Sequence, residues 1–187
     1  TELMKRYKTL HYIIQKKENG GMGYALRQGL KKARYKNVFY SDSDLQFDLN
    51  EFANFMPYIE KYDIISGYRI KRNDPKSRVF IATVYNFLVR IIFNVKSRDV
   101  DCAFRLIKKE VINHVTLNRR YGVGSTEILV KAEREGYSIK EVGVHHYERK
   151  HGSLVFESQI AGFHLVKPSL VLNMLKEIFL LWKELHF

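Results

Sequence analysis

Disulfide cross-links are excluded at once: the 187 residues contain a single cysteine, Cys102, so no internal bridge can form and nothing asks for an oxidising compartment. A cytosolic setting fits best. Proline is scarce, three residues in all, and no Pro-, Gly- or Ser-rich tract interrupts the chain as a linker would, so one globular unit is expected. Long uninterrupted apolar runs are missing as well. The two most apolar segments, residues 79–95 and 170–187, carry polar residues at intervals, which argues against a bilayer-crossing helix. Residues 1–8 are charged and lack the apolar stretch of a signal peptide. They also lack the strand-and-glycine opening of a nucleotide-binding fold, so the chain reads as a domain entered partway.

Acidic residues are in the minority. Twenty Asp and Glu face 32 Lys and Arg, and the net charge of +12 favours polyanionic partners: phosphates, anionic lipid or nucleic acid. Twelve tyrosines could stack on bases, but the basic residues are dispersed and no nucleic-acid motif is present, so nucleic acid is not the expected partner. Hydrophobic residues make up 45% of the chain, enough to bury one real core.

Residues 12–14 form a short apolar run that stops at the polar, glycine-bearing stretch 15–23, and residues 25–33 then repeat apolar positions at helical spacing. The pattern returns: a strand at 37–40, an acidic segment at 41–48, and an apolar-periodic helix at 49–59. A third strand at 63–68 leads into a basic loop with Arg69, Lys71, Arg72, Lys76 and Arg78, then into the helix 79–95, where Asn86, Arg90 and Asn94 line one face. Residues 104–107 and 138–146 read as strands, 126–134 as a helix, and the sequence from 154 onward as mostly helical. This alternation predicts an α/β fold with a mainly parallel sheet flanked by helices. The expected organisation is a domain over residues 1–153 and a helical tail over 154–187. The tail's narrow polar stripe, Asn173, Lys176, Glu177, Lys183 and Glu184, suits packing on the domain or on a membrane surface.

Chemistry concentrates at Asp42-Ser43-Asp44-Leu45-Gln46-Phe47-Asp48, at the end of a predicted strand, where ligands of open α/β sheets gather. Mg²⁺ and Mn²⁺ prefer carboxylate, carbonyl and phosphate oxygens, so Asp42 and Asp44, with Gln46 as a neutral ligand, could bridge such an ion to a diphosphate. Asp48, three residues before Glu51, has the spacing of a helix-capping box. Two aspartates one residue apart also occur in aspartyl-nucleophile phosphatases, but Gln46 stands where a small hydroxyl or aliphatic residue is needed. The loop glycines 20, 21 and 23 allow either a simple turn or a close approach of backbone to an anion at a helix start. Asp99 either orients an acceptor or pairs with Arg98 and Arg105 to shape a turn. Of His145 and His146, adjacent on a strand and so facing opposite sides, at most one is expected near substrate.

Asn19-Gly20-Gly21-Met22-Gly23-Tyr24-Ala25-Leu26 with Gly29, followed by Asp42-Ser43-Asp44-Leu45-Gln46, resembles the family 2 glycosyltransferases, above all those that act on dolichyl and polyprenyl phosphates. Two further clusters continue the likeness in order: Asp99 to Leu106, and Val142 to Ser153. Ala103 departs from the family's glycine and Asp101 from its common neutral residue. The resemblance implies a GT-A-type, Rossmann-like fold and inverting transfer of a sugar from a nucleotide-sugar to a polyprenyl phosphate, assisted by Mg²⁺ or Mn²⁺. It implies a metal at Asp42, Asp44 and Gln46; donor and phosphate contacts from Gly23, Arg149 and Lys150; acceptor contacts from Arg69, Arg78 and Glu127; and catalytic roles for Asp42 and Asp99. It further implies work at the cytoplasmic face of a membrane, with a membrane-anchoring partner or a second copy. If no segment supplies the missing opening, donor affinity is impaired and the chain is an inactive membrane-surface or interaction protein.

Overall fold

Alternation along the strands sorts the side chains into two cores. In β1 (Asn37–Ser41) Val38 and Tyr40 face one side of the sheet and Phe39 the other; in β2 (Ile64–Arg72) Ile64 and Ile65 divide likewise; in β3 (Phe104–Lys108) Phe104 and Leu106 oppose Ile107. The computed structural model describes residues 5–7, 9–11, 21–74, 76–149, 157–160, 163–166 and 168–187, so the strand expected at 12–14 lies outside the described residues. One face of the sheet is covered by α1 (Gly21–Lys32), α2 (Lys76–Phe93), α4 (Gly124–Arg134) and α5 (Pro168–His186), which pack around Val89, Ile128, Leu129 and Leu181. The other face is covered by a 3₁₀ helix, Leu49–Tyr58, which drives Phe55 against Phe104 and Phe39. A short α3 (Lys109–His114) follows β3 directly.

The four-stranded sheet has the order β1-β3-β2-β4, with β4 at Ile139–His146. β3 runs antiparallel to both neighbours, while β2 and β4 are parallel. Thus β1, β2 and β4 point the same way, as the alternation predicts, and β3 alone is reversed, giving a mixed sheet. The reversal follows from residues 94–103, which carry the chain back to the carboxyl end of β1 before β3 begins, with Phe104 opposite Ser41. Residue type encodes side-chain alternation but not strand direction, so this turn is invisible to periodicity.

Other boundaries shift for local reasons. β2 runs to Arg72, so Arg69, Lys71 and Arg72 belong to a strand and not to a loop; its pairing with β4 extends to Arg72 opposite His146. The stretch 49–58 is a 3₁₀ helix containing Pro57. Asp48 caps it by accepting from the Asn50 amide at 2.9 Å, whereas Glu51 turns to His145 instead of completing a capping box, accepting its backbone amide at 2.8 Å and its Nδ1. α2 ends at Phe93 because Asn94 adopts a left-handed conformation, φ 53°. A hairpin, β5 (Glu157–Ile160) with β6 (Phe163–Val166), stands in the stretch expected to be mostly helical.

α5 presents an unexpected face to the domain. Of the polar stripe, Glu177 is buried beside Ile178 and Leu181, while Glu184 stays at the rim of the domain. Glu184 meets Arg119 at 2.9 Å and Lys131 at 2.6 Å, and Glu177 accepts from the Arg120 amide at 3.2 Å. The apolar Leu172, Leu175 and Phe179 are left exposed.

Candidate active site

β1 ends at Ser41 and the acidic turn begins there. Leu45 holds a left-handed backbone, φ 62°, which a branched side chain adopts only at a cost of roughly 1–2 kcal/mol. That turn lets the Asp44 carboxylate accept the Gln46 amide at 3.1 Å. Asp42 is open to solvent at its surface but crowded by the surrounding protein, and this desolvation, followed by the charge of Asp44, raises its pKa. Two carboxylates in this position favour a cation, and one is present: Arg149 Nη2 lies 2.6 Å from Asp44 Oδ2. Gln46 is buried, with its Nε2 donating to the Tyr147 carbonyl at 3.0 Å and its Oε1 3.5 Å from Arg149. It thereby ties the exit of β4 to the acidic turn.

Opposite lies the basic end of β2. Arg69 grips Asp99 with both Nε and Nη2 at 2.6 Å, and its backbone amide adds a bond at 3.2 Å. Burial alone would raise the Asp99 pKa, but the bonds and charge of Arg69 outweigh it and hold the carboxyl below its ordinary range. Asp99 is therefore committed to Arg69, not to Arg98 or Arg105. Arg98 pairs with Glu141, and Arg105 spends its guanidinium on neutral groups. Asp74, between Arg72 and Arg78 at 3.0 Å each, orients both guanidiniums. His146 lies beside it with Nδ1 at 3.7 Å from Asp74; burial, with the charges of Arg69, Arg72 and Arg78, lowers its pKa to about 4 despite Asp74, so it is neutral near pH 7. His145 is exposed, so only one of the adjacent pair faces the site.

These groups enclose a cavity of about 950 Å³ at the carboxyl edge of β1, β2 and β4. Its polar wall includes Asp42, Asp44, Gln46, Arg69, Arg78 and Arg149; its apolar wall includes Leu26, Leu30, Ile81 and Met174. Another cavity, about 790 Å³, lies near the start of β4 between Phe93, Lys96, Glu133 and Tyr137, remote from the acidic turn.

Three expected site residues do not line the cavity: Asp99, which lies behind Arg69, Gly23 and Glu127. Gly23 is buried in α1 and donates its amide to the Arg120 carbonyl at 2.8 Å, and a Cβ there would stand 2.3 Å from the Arg119 oxygen. Its lack of side chain is used to dock α1 on the 119–121 loop. Glu127 is fully buried, accepts the amides of Asn118 and Arg119 at 2.9 Å, and pairs with Lys131 at 2.8 Å. Lys150 lies outside the described residues.

One residue was passed over. Asp101 lines the cavity; burial, opposed by Arg69 and reinforced by Asp99, pushes its pKa up to about 6. The sequence marked it only as a departure from the resembled pattern, while its partner-rich neighbour Asp99 drew the attention. Arg105 is the other surprise. Completely buried, it bonds Ser66, Tyr40 and the carbonyls of Ser125, Val100 and Cys102 at 2.7–3.3 Å, and so fixes the turn that carries Asp99 and Asp101. The Cys102 thiol is buried and pushed up to about 12, an inert packing group.

A divalent cation fits this donor set. Among the described residues no cluster of three or more His, Cys, Asp or Glu side chains is present, so Asp42 and Asp44 form an open pair and not a closed cage. An open carboxylate pair is how Mg²⁺ is held when phosphates and water complete its shell.

The family model for glycosyl transferase family 2 matches residues 1–116. Among curated proteins the chain is similar to the glycosyltransferase AglD of Haloferax volcanii, 27% identical over 66% of this chain and 21% of that one. It is also similar to the dodecaprenyl-phosphate galacturonate synthase of Rhizobium johnstonii, 26% identical over 75% of this chain and 42% of that one. The chain thus spans less than half the length of these two relatives. Among solved structures, glucosyl-3-phosphoglycerate synthase from Mycobacterium tuberculosis in complex with Mg²⁺ and uridine diphosphate shares the fold, with a TM-score of 0.56 and 13% identity over 80% of this chain and 52% of that one. The aspartate pair on a reversed-β3 sheet, the arginines facing it and a match over more than half the residues converge: the chain belongs to glycosyl transferase family 2.

Proposed function

We propose that this cleft transfers a sugar from a nucleotide-sugar to a polyprenyl phosphate. One observation carries the reading: an acidic pair, Asp42 and Asp44, and the arginines 69, 72 and 78 line one cavity that also has an apolar wall. Asp42 and Asp44, with the Gln46 amide beside them, would hold Mg²⁺ or Mn²⁺, which when bound supplies positive charge to the departing diphosphate. Arg149, already against Asp44, is in reach to share that charge; its Nε is buried without a hydrogen-bond partner among the described residues. Arg69, aimed by Asp99, with Arg72 and Arg78, aimed by Asp74, would hold the acceptor phosphate while the apolar wall takes the start of its lipid chain. A phosphate is already ionised at neutral pH, so no general base is required, and Asp99 acts by positioning Arg69. The Rhizobium relative, a dodecaprenyl-phosphate galacturonate synthase, supports a polyprenyl-phosphate acceptor, and the Mg²⁺ and uridine diphosphate of the mycobacterial structure support the metal and the donor class.

No helix of the described residues is long and apolar enough to cross a membrane. Contact with a cytoplasmic membrane surface would instead come from the exposed apolar residues of α2 and α5, among them Phe80, Phe87, Ile91, Leu172 and Phe179. An anchoring partner or a second copy belongs to the same proposal.

Calorimetric titration of nucleoside diphosphates and nucleotide-sugars, with and without Mn²⁺, tests the site. The native chain should bind only with metal, and Asp44→Ala should lose at least about tenfold in affinity. Metal-independent binding, or full binding by Asp44→Ala, would sink the reading.

A further inference from the structure

A sugar poised between two phosphates has different needs from either of them. Its ring is neutral and hydroxylated, so it requires hydrogen-bond acceptors, while the diphosphate and the acceptor phosphate require cations. In this cleft every arginine facing the cavity already has a carboxylate: Arg69 has Asp99, Arg72 and Arg78 share Asp74, and Arg149 has Asp44. Asp101 differs. It lines the same cavity, yet among the described residues it has neither a hydrogen-bond nor an ion-pair partner. Its backbone is fixed on both sides: the Val100 amide donates to Asn86 Oδ1 at 2.8 Å, and Arg105 Nη2 holds the carbonyls of Val100 and Cys102 at 3.3 and 3.2 Å. A free acceptor on a rigid turn is preorganised for a ligand.

We infer that Asp101 binds the ring hydroxyls of the transferred sugar and makes the site prefer neutral sugars over uronic acids. The inference rests on the function proposed above. A carboxylate with two oxygens accepts from adjacent hydroxyls, whereas a second carboxylate on the sugar would meet it as a like charge. Asp101 lines the same cavity as Asp42 and Arg69, and it precedes β3, which begins opposite the end of β1.

Binding of UDP, UDP-glucose and UDP-glucuronate, with GDP and GDP-mannose in parallel, in Mn²⁺, tests it on the full chain and on Asp101→Ala and Asp101→Asn. The native chain should favour the neutral sugar nucleotide over the uronate by roughly tenfold. Asp101→Ala should lose about tenfold for UDP-glucose or GDP-mannose and less than about twofold for the diphosphates, erasing the preference. Asp101→Asn, which keeps one acceptor oxygen, should fall between. Equal losses for sugar nucleotide and diphosphate would overturn the inference, since Asp101 would then act on the phosphates or the metal, and unchanged discrimination would overturn it equally. If the native chain binds none of the five ligands, the proposed function fails and this inference fails with it. Thermal unfolding of each variant separates loss of contact from loss of fold.

Discussion

Asp101 costs the folded chain stability, and the cost has a definite pH dependence. Its pKa is raised from 3.8 to about 6 by burial, so the fold favours the protonated form. The stabilising contribution is complete below the unfolded pKa, near 3.8, and is lost as pH rises through about 6. Asp101→Asn, neutral at every pH, should therefore be more stable than the native chain at pH 8, by up to about 3 kcal/mol for a shift of roughly two units. The difference should vanish by about pH 4. Urea unfolding at the two pH values measures it. A gain that persists at low pH, or no gain at pH 8, would show that the carboxyl is not confined as described. A residue kept at such a cost in a cleft is a candidate for function. Leu45, strained in the acidic turn beside Asp44, has the same character.

Arg105 links β3 to both of its neighbours in the sheet. This buried side chain bonds five neutral oxygens and ties β3 to Ser66 in β2, Tyr40 in β1 and Ser125 at the start of α4. Lysine would keep the charge but not the planar set of donors. Arg105→Lys should cost about 3 kcal/mol in urea unfolding, because a buried cation would be left with fewer partners. A cost below about 0.5 kcal/mol would show that the hydrogen bonds do not fix the turn. α5 is held in a comparable way, through Glu184 with Arg119 and Lys131 and through Glu177 with the Arg120 amide. The helix therefore offers Ile178, Leu181 and these acids to the domain and leaves Leu172, Leu175 and Phe179 outside.

At the scale of the molecule, a charge of +12 and the exposed apolar faces of α2 and α5 act together. α2 shows Phe87 and Ile91 at 60% and 63% exposure, so charged replacements there leave the core intact. Phe87→Glu with Ile91→Glu should lower partitioning onto phosphatidylglycerol vesicles by at least about tenfold, with unchanged thermal unfolding, since each buried apolar side chain is worth roughly 1.5–3 kcal/mol. Sedimentation with vesicles measures it. Partitioning equal to the native chain would mean that this face does not meet lipid.

Residue types and their spacing determined the strand at 37–40, the acidic turn after it, the helices at 25–33 and 126–134, and the cap at Asp48, because alternation, helical period and capping are local properties. They also carried the family likeness, since the ordered clusters around Asp42, Asp99 and Arg149 survive as patterns along the chain. Strand direction and side-chain partnership are not local. Only the tertiary structure reversed β3, paired Asp99 with Arg69 across thirty residues, turned Glu127 and Gly23 to packing, and left Asp101 as a carboxylate of the cavity without a partner among the described residues. Each of these depends on which distant cation or carbonyl arrives beside the residue, and that is fixed by how the sheet is threaded.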